Sequence, residues 1–142
     1  MTFEARDELQ TTLSGNLEIS TQTPETPLIF KTTDPLGRTV QLKQSTWEMH
    51  VTGGDHQRKE LIGQEKVVEG IIASPAFIVP DVDYDTRERY YDLVYLSSIN
   101  KFKTVMVVVD HSNSTGDVCT VFAQSRMRET GERGIIYERK KS

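Results

Sequence analysis

Two of the three histidines stand six residues apart in Trp47-Glu48-Met49-His50-Val51-Thr52-Gly53-Gly54-Asp55-His56, and Arg87-Glu88-Arg89-Tyr90-Tyr91 follows further along. Imidazole titrates near neutrality and guanidinium stays charged, so these groups could supply a base, an acid and an anion clamp without a metal. His50 as base and His56 as acid, or the reverse, could flank one phosphate if the Gly53-Gly54 turn brings their rings within ~7 Å, each reaching the group through a hydrogen bond of ~3 Å. Arg87 and Arg89 are two apart and so share one strand face with Tyr91, Leu93 and Tyr95. That face could clamp a phosphate or stack a base. Thr120, Phe122 and Gln124 share a face of the last long strand, and Ser125-Arg126 closes it with a hydroxyl and a cation.

The same residues admit plainer roles. Trp47 and His50 could both face the core one helical turn apart, with His56 in a solvated loop. Arg87 and Arg89 could pair with Asp83 or Asp85, and Phe122 could mark its face as the core side. Other motifs fail on inspection. Asp81-Val82-Asp83-Tyr84-Asp85 starts like a calcium loop, but Thr86 stands where the turn glycine belongs and Asp92 where the bidentate glutamate belongs, so a solvated acidic loop is expected. No helical zinc pair, glycine-rich phosphate loop or nucleophile elbow occurs, so neither metal nor cofactor is expected. Cys119 lies inside a strand pattern and is expected to be buried.

The positioning elements follow from residue patterns. Residues 1–27 are rich in Thr, Ser, Gln and Glu with few large apolar groups, which predicts a flexible acidic arm, in which a short helix over Thr2 to Leu13 would be amphipathic only through Phe3, Leu9 and Leu13. Ordered structure is expected over 28–142 as a single domain. Leu28 to Lys31 and Thr39 to Leu42 flank Asp34-Pro35-Leu36-Gly37, which predicts a hairpin. Ser45 or Thr46 is placed to cap a short helix carrying Trp47 and His50, stopped by Gly53-Gly54. The spacing of Leu61, Ile62, Val67, Val68, Ile71 and Ile72 predicts the main helix over Gln57 to Ala73, ended by Ser74-Pro75. Beyond it, Phe77 to Val79, Arg87 to Leu96, Thr104 to Asp110 and Val118 to Gln124 read as strands joined by connections short enough for antiparallel neighbours. The expected class is α+β, with N-terminal helices packed on a four-stranded antiparallel sheet and a small hairpin before the helices.

The chain has 142 residues, 36% of them hydrophobic and 27% charged, and no apolar run approaches the ~20 residues of a membrane span. No leader with an apolar segment is visible and Cys119 is alone, which together suggest a cytoplasmic protein of a bacterial host or phage. The net charge of -4 is uneven. In the arm, Glu4, Asp7, Glu8, Glu18 and Glu25 face Arg6 alone, whereas 126–142 carries Arg126, Arg128, Arg133, Arg139, Lys140 and Lys141 against three glutamates. Local cations rather than net charge govern contact with a phosphate backbone, so the basic end remains available to one.

In order along the chain, Thr33-Asp34-Pro35-Leu36-Gly37-Arg38, Trp47-x-x-His50 with His56, the helix ending at Pro75, Arg87-Glu88-Arg89-Tyr90-Tyr91 and Val118-Cys119-Thr120-Val121-Phe122 resemble a known family. This is the phage-associated nuclease-like group that includes barnase, EndoU, colicin-type and RelE-type ribonucleases. The resemblance implies N-terminal helices on an antiparallel sheet and metal-independent endoribonuclease activity by 2'-hydroxyl transesterification. It implies catalytic roles for His50, His56, Arg87 or Arg89, and Thr120, with Tyr91, Gln124, Ser125 and Arg126 as substrate contacts. The chain departs from the family pattern where Gly53-Gly54 lengthens the histidine segment by one residue and Gln57 replaces a proline. RNA is the implied partner, with a protein inhibitor or phage protein as a second; oligomeric state is open. The other class of function is a noncatalytic RNA- or protein-binding module on the same sheet.

Overall fold

Asp34 organises the first turn. Its Oδ1 accepts from the backbone N–H groups of Leu36 at 3.0 Å and Arg38 at 2.9 Å, and Gly37 takes φ +83°, open to glycine at no steric cost. The computed structural model describes residues 27–54, 57–124 and 134–140. Strands β1 (Leu28–Thr33) and β2 (Thr39–Lys43) form the expected antiparallel hairpin across this turn. The chain then coils through α1 (Gln44–Thr46) into a wider π-type turn, Trp47–Val51, and reaches α2 (Glu65–Ala73). Strands β3 (Phe77–Pro80), β4 (Arg87–Leu96), β5 (Lys101–Asp110), β6 (Gly116–Gln124) and β7 (Tyr137–Glu138) follow.

The seven strands make one mixed sheet in the order β1-β2-β6-β5-β4-β3-β7. All neighbours are antiparallel except β2 and β6, which run parallel through Val40 opposite Gly116 and Gln41 opposite Asp117. This overturns the expected helices on a four-stranded antiparallel sheet: strand makes up 45% of the described residues and helix 19%. Two non-local pairings account for the difference. The hairpin joins the sheet by its β2 edge, where Gln41 Nε2 also donates to Asp117 Oδ1 at 2.8 Å, and β7 extends the opposite edge beside β3. Neither pairing leaves a periodic trace in sequence.

The helices are also shorter than expected. The 57–73 segment splits into a single 3-10 turn, Lys59–Leu61, and α2, because Gly63 takes φ +78° between them. The apolar spacing survives the split, since Leu61 and Val68, Ile71 and Ile72 are all buried. Ser45 and Thr46 do not cap α1; the cap position is Lys43, with no side-chain bond. No described helix is long and apolar enough to cross a membrane. The proposed helix at Thr2 to Leu13 and the rest of the arm before residue 27 lie outside the described residues.

Strand alternation sorts the sheet into two faces. Helix α2 packs against β1, β4 and β5, burying Phe30, Tyr90, Leu96, Val105 and Val107. The opposite face carries the other alternating set. Register aligns Arg89 with Val108 and Thr120, Tyr91 with Met106 and Phe122, and Leu93 with Thr104 and Gln124. A bulge opposite Val108–Val109 makes this possible. It adds Cys119 to β6, so Val118 and Val121 reach the core while Thr120 turns outward.

At one end of the core face the hairpin is tied to β4 by polar groups. Tyr90 Oη donates to Asp34 Oδ2 at 2.6 Å, Arg38 reaches Asp34 through Nε at 2.9 Å and grips both Glu88 oxygens, and His111 Nε2 lies 3.0 Å from Tyr90 Oη. With the phenol proton directed at Asp34, His111 donates from Nε2. Its ring also explains Gly116, where a Cβ would sit 2.9 Å from His111 Cε1 and Nδ1. Burial, reinforced by the Arg38 charge, pushes the His111 pKa below its ordinary 6.5 against the opposing pull of Glu88, Asp34 and Asp110. The native state therefore binds fewer protons than the unfolded chain below that value. The stability contributed by neutral His111 is complete above pH 6.5 and is lost as pH falls through the lowered native value. In urea unfolding at pH 8, 7, 6 and 5, this slope is expected in the wild type and is diminished in His111→Gln.

Candidate functional site

The face of the sheet opposite α2 carries two adjoining depressions. One, of about 430 Å³, is lined by Thr46, His50, Arg87, Cys119, Thr120 and Phe122, with Val118 behind. The other, of about 270 Å³, is lined by Arg89, Tyr91, Met106, Phe122 and Gln124. Phe122 is common to both. It lies on β6 between Thr120 and Gln124, and the register sets it across Met106 of β5 from Tyr91 of β4.

His50 reaches this face because its helical turn is wide. Trp47 is buried in the core, and the π-type turn, closed by Thr52 N–H donating to Trp47 O at 2.9 Å, leaves the His50 side chain exposed. The two residues therefore do not share the core side. Among the described residues, none hydrogen-bonds to the His50 imidazole; its backbone carbonyl is the anchored part. That carbonyl accepts from Arg58 Nη1 at 3.0 Å and from Thr120 Oγ1 at 3.3 Å. Arg58 also donates to Thr120 Oγ1 at 3.1 Å, and its guanidinium carbon lies 4.0 Å from the Phe122 ring centre. Burial lowers the Arg58 pKa, with Glu60 opposing, but an arginine keeps its charge throughout the physiological range. One cation thus joins the His50 turn, the Thr120 hydroxyl and the shared aromatic ring.

The β4 arginines are each held by a carboxylate, though not by those expected. Arg89 Nε donates to Asp81 Oδ1 at 2.8 Å, and Asp81 Oδ2 accepts from the backbone of Asp83 and Tyr84 at 3.0 Å each. Asp81 is only 5% exposed, whereas Asp83 and Asp85 are exposed, so the expected solvated acidic loop holds except at its first residue. Burial alone would raise the Asp81 pKa, but Arg89 and the two backbone donors hold it below the usual range. Arg87 lies 3.8 Å from Asp110 and packs its guanidinium 4.1 Å from the Tyr84 ring centre. Arg89 is accordingly the more rigid of the two, and Arg87 keeps the looser pairing beside the larger depression.

The residues singled out from sequence thus meet in two groups. His50, Arg87 and Thr120 share one depression; Arg89, Tyr91 and Gln124 share the next. His56, Ser125 and Arg126 lie outside the described residues. Phe122 is on the open side, not the core side. Cys119 is partly exposed rather than buried, as the bulge residue on the larger depression's wall. Burial raises its pKa, against the opposing charge of Arg87, so the thiol form is favoured.

Arg58 is the member that sequence reasoning missed. It stood at the start of an expected helix, and its only signal was proximity to the histidine segment. The third histidine, His111, belongs to the network on the other face. The chain matches no family model, no curated protein and no solved structure.

Proposed function

We infer that the open sheet face binds single-stranded RNA and cleaves it without a metal, by attack of a 2'-hydroxyl on the adjacent phosphorus. The observation carrying this reading is the convergence of His50, Arg87 and Thr120 on one depression roomy enough for a phosphate, beside aromatic and amide groups suited to a base. His50 takes the 2'-hydroxyl proton as the 2'-oxygen bonds to phosphorus. Arg87 stabilises the charge gathered on the nonbridging oxygens. The bond from phosphorus to the 5'-oxygen breaks, and that oxygen takes a proton from the acid, the role the sequence offers to His56. The products are a 2',3'-cyclic phosphate and a free 5'-hydroxyl.

Incubation of labelled RNA in EDTA tests this directly. Wild-type protein is expected to produce cyclic-phosphate ends, and Arg87→Ala to lower the rate by about 10²-fold while the circular dichroism spectrum is unchanged. Equal rates in wild type and variant would remove Arg87 from the mechanism.

A second reading is supported by the ion pairs themselves. Both β4 arginines already face carboxylates, Asp110 and Asp81, which suits a surface that holds RNA without attacking it. Binding with no cleavage by any form of the protein is its signature.

A further inference from the structure

Leu93 and Tyr95 continue the face of β4 that bears Arg89 and Tyr91, and the register sets Phe102 of β5 opposite Tyr95. These three side chains are 62%, 44% and 67% exposed. Scattered apolar residues on a surface need no explanation, but these adjoin one another. The Tyr95 and Phe102 rings meet edge to face with centroids 5.4 Å apart, and Tyr95 Oη donates to Asn100 Oδ1 in the turn between the strands. The patch is therefore preformed. We propose that it is the docking site of an acidic segment of this same chain, residues 13–19, led there by residues 20–26. The proposal concerns the surface beyond the two depressions and stands whether or not RNA is their ligand.

Area and charge select the occupant. Ordinary side-chain areas scaled by these exposures give roughly 300–400 Å² of apolar surface. A stable interface with a second copy needs about 800 Å² per partner, and a two-fold pairing here also brings like charges together. Those charges are Lys101 and Lys103, which flank Phe102 along β5. Among the described residues neither lysine takes part in an ion pair. A short segment with a few large apolar side chains and an acidic group fits both the area and the charge.

Leu13-Ser14-Gly15-Asn16-Leu17-Glu18-Ile19 has that composition, and residues 1–26 as a whole set Glu4, Asp7, Glu8, Glu18 and Glu25 against Arg6 alone. With so little apolar surface the segment cannot build a core of its own, and it gains by covering one already formed. Its reach is also right. Leu28 lies opposite Lys43, and the parallel register of β2 with β6 carries that level to about Thr120, which pairs with Val108. From Leu28 to Phe102 is thus three strand spacings across and six residues along, roughly 25 Å. The extended chain from Ile19 to Pro27 spans the same roughly 25 Å, and Pro24 and Pro27 favour extension. Residues 20–26 contain no large apolar side chain, so Ile19 and Leu17 are the first before Leu28 that reach the patch.

Paramagnetic broadening in the full chain tests the assignment. A nitroxide is attached at Ser20→Cys in a Cys119→Ser background, and amide intensities are compared before and after its reduction. Loss of the Leu93, Tyr95 and Phe102 signals is expected, with those of Val68 to Ile72 in α2 retained. Leu17→Ser with Ile19→Ser is expected to restore the lost signals, as is Leu93→Ser with Phe102→Ser, each with thermal unfolding still cooperative. The first pair alters no residue of the described fold, so it decides the matter even if the second pair fails to fold. Retained signals at the patch overturn the proposal, as does broadening that survives the Leu17 and Ile19 substitutions. A mixture of nitroxide-bearing protein with isotope-labelled protein lacking the label separates the remaining occupant. Broadening of the patch in that mixture assigns it to a second copy and likewise overturns docking within one chain.

Discussion

His50→Ala is expected to reduce RNA cleavage by about 10²- to 10⁴-fold, the usual contribution of one positioned acid or base, while native structure and RNA binding persist. The separation of effects follows from geometry. His50 is exposed, its imidazole makes no hydrogen bond to a described residue, and the two bonds that anchor its turn are received by its backbone carbonyl. Alanine keeps that carbonyl. Trp47, by contrast, is 5% exposed and packs in the core, so Trp47→Ala removes activity by unfolding, with a cost of about 3–5 kcal/mol. Single-turnover cleavage measured beside thermal unfolding distinguishes the two cases. A His50→Ala protein that cuts at the wild-type rate removes His50 from the chemistry, and one that fails to fold shows that the side chain serves the turn.

The second large effect is on stability. Arg38→Met is expected to cost about 3–5 kcal/mol at pH 8, the range for breaking one side of a buried charge pair. The Asp34 side chain is fully buried and Glu88 largely so, and Arg38 is the cation bonded to both. Burial alone would raise the Asp34 pKa; the Tyr90 hydroxyl, together with the backbone, charge and side chain of Arg38, holds it below the usual range. Removing the guanidinium leaves two carboxylates near one phenol. It also removes the neighbouring charge that helps depress His111, so His111 takes up a proton more readily and partly replaces the lost cation. The destabilisation is therefore expected to shrink between pH 8 and pH 5.5 in denaturant titrations. Arg38→Met with Glu88→Met should recover part of the loss, because it deletes one of the stranded charges. Unchanged stability of Arg38→Met at pH 8 would show that the network carries no net weight.

Local patterns were legible in the sequence, and long-range closure was not. Alternation in β4 and β6 placed Arg87, Arg89 and Tyr91 on one face and Thr120, Phe122 and Gln124 on one face, and the register sets these faces side by side. The turn at Asp34 was equally readable, since Asp, Pro and Gly have specific uses there. The parallel contact of β2 with β6 joins residues more than 70 positions apart through two residue pairs, too little to mark either strand. The edge pairing of β7, two residues long, is similarly silent. Helix length failed at Gly63: apolar spacing continued across it, but the backbone reversed its φ and split the segment. Charge partners were misread for a related reason. Asp83 and Asp85 were nearer candidates in a loop reading, yet Asp81 is the residue whose position at the strand end points a carboxylate at Arg89. Arg58 could not be placed without knowing that its loop folds over β6.

Backbone NMR with a 2'-deoxy-substituted oligonucleotide, which binds but lacks the attacking hydroxyl, tests the central claim most directly. Titration is expected to shift the amides of His50, Arg58, Arg87, Arg89, Thr120, Phe122 and Gln124 together along one saturation curve, with α2 unaffected. Shifts concentrated on α2 and the Asp34–Arg38 turn, or none at saturating oligonucleotide, would contradict the placement of an RNA site on the open face.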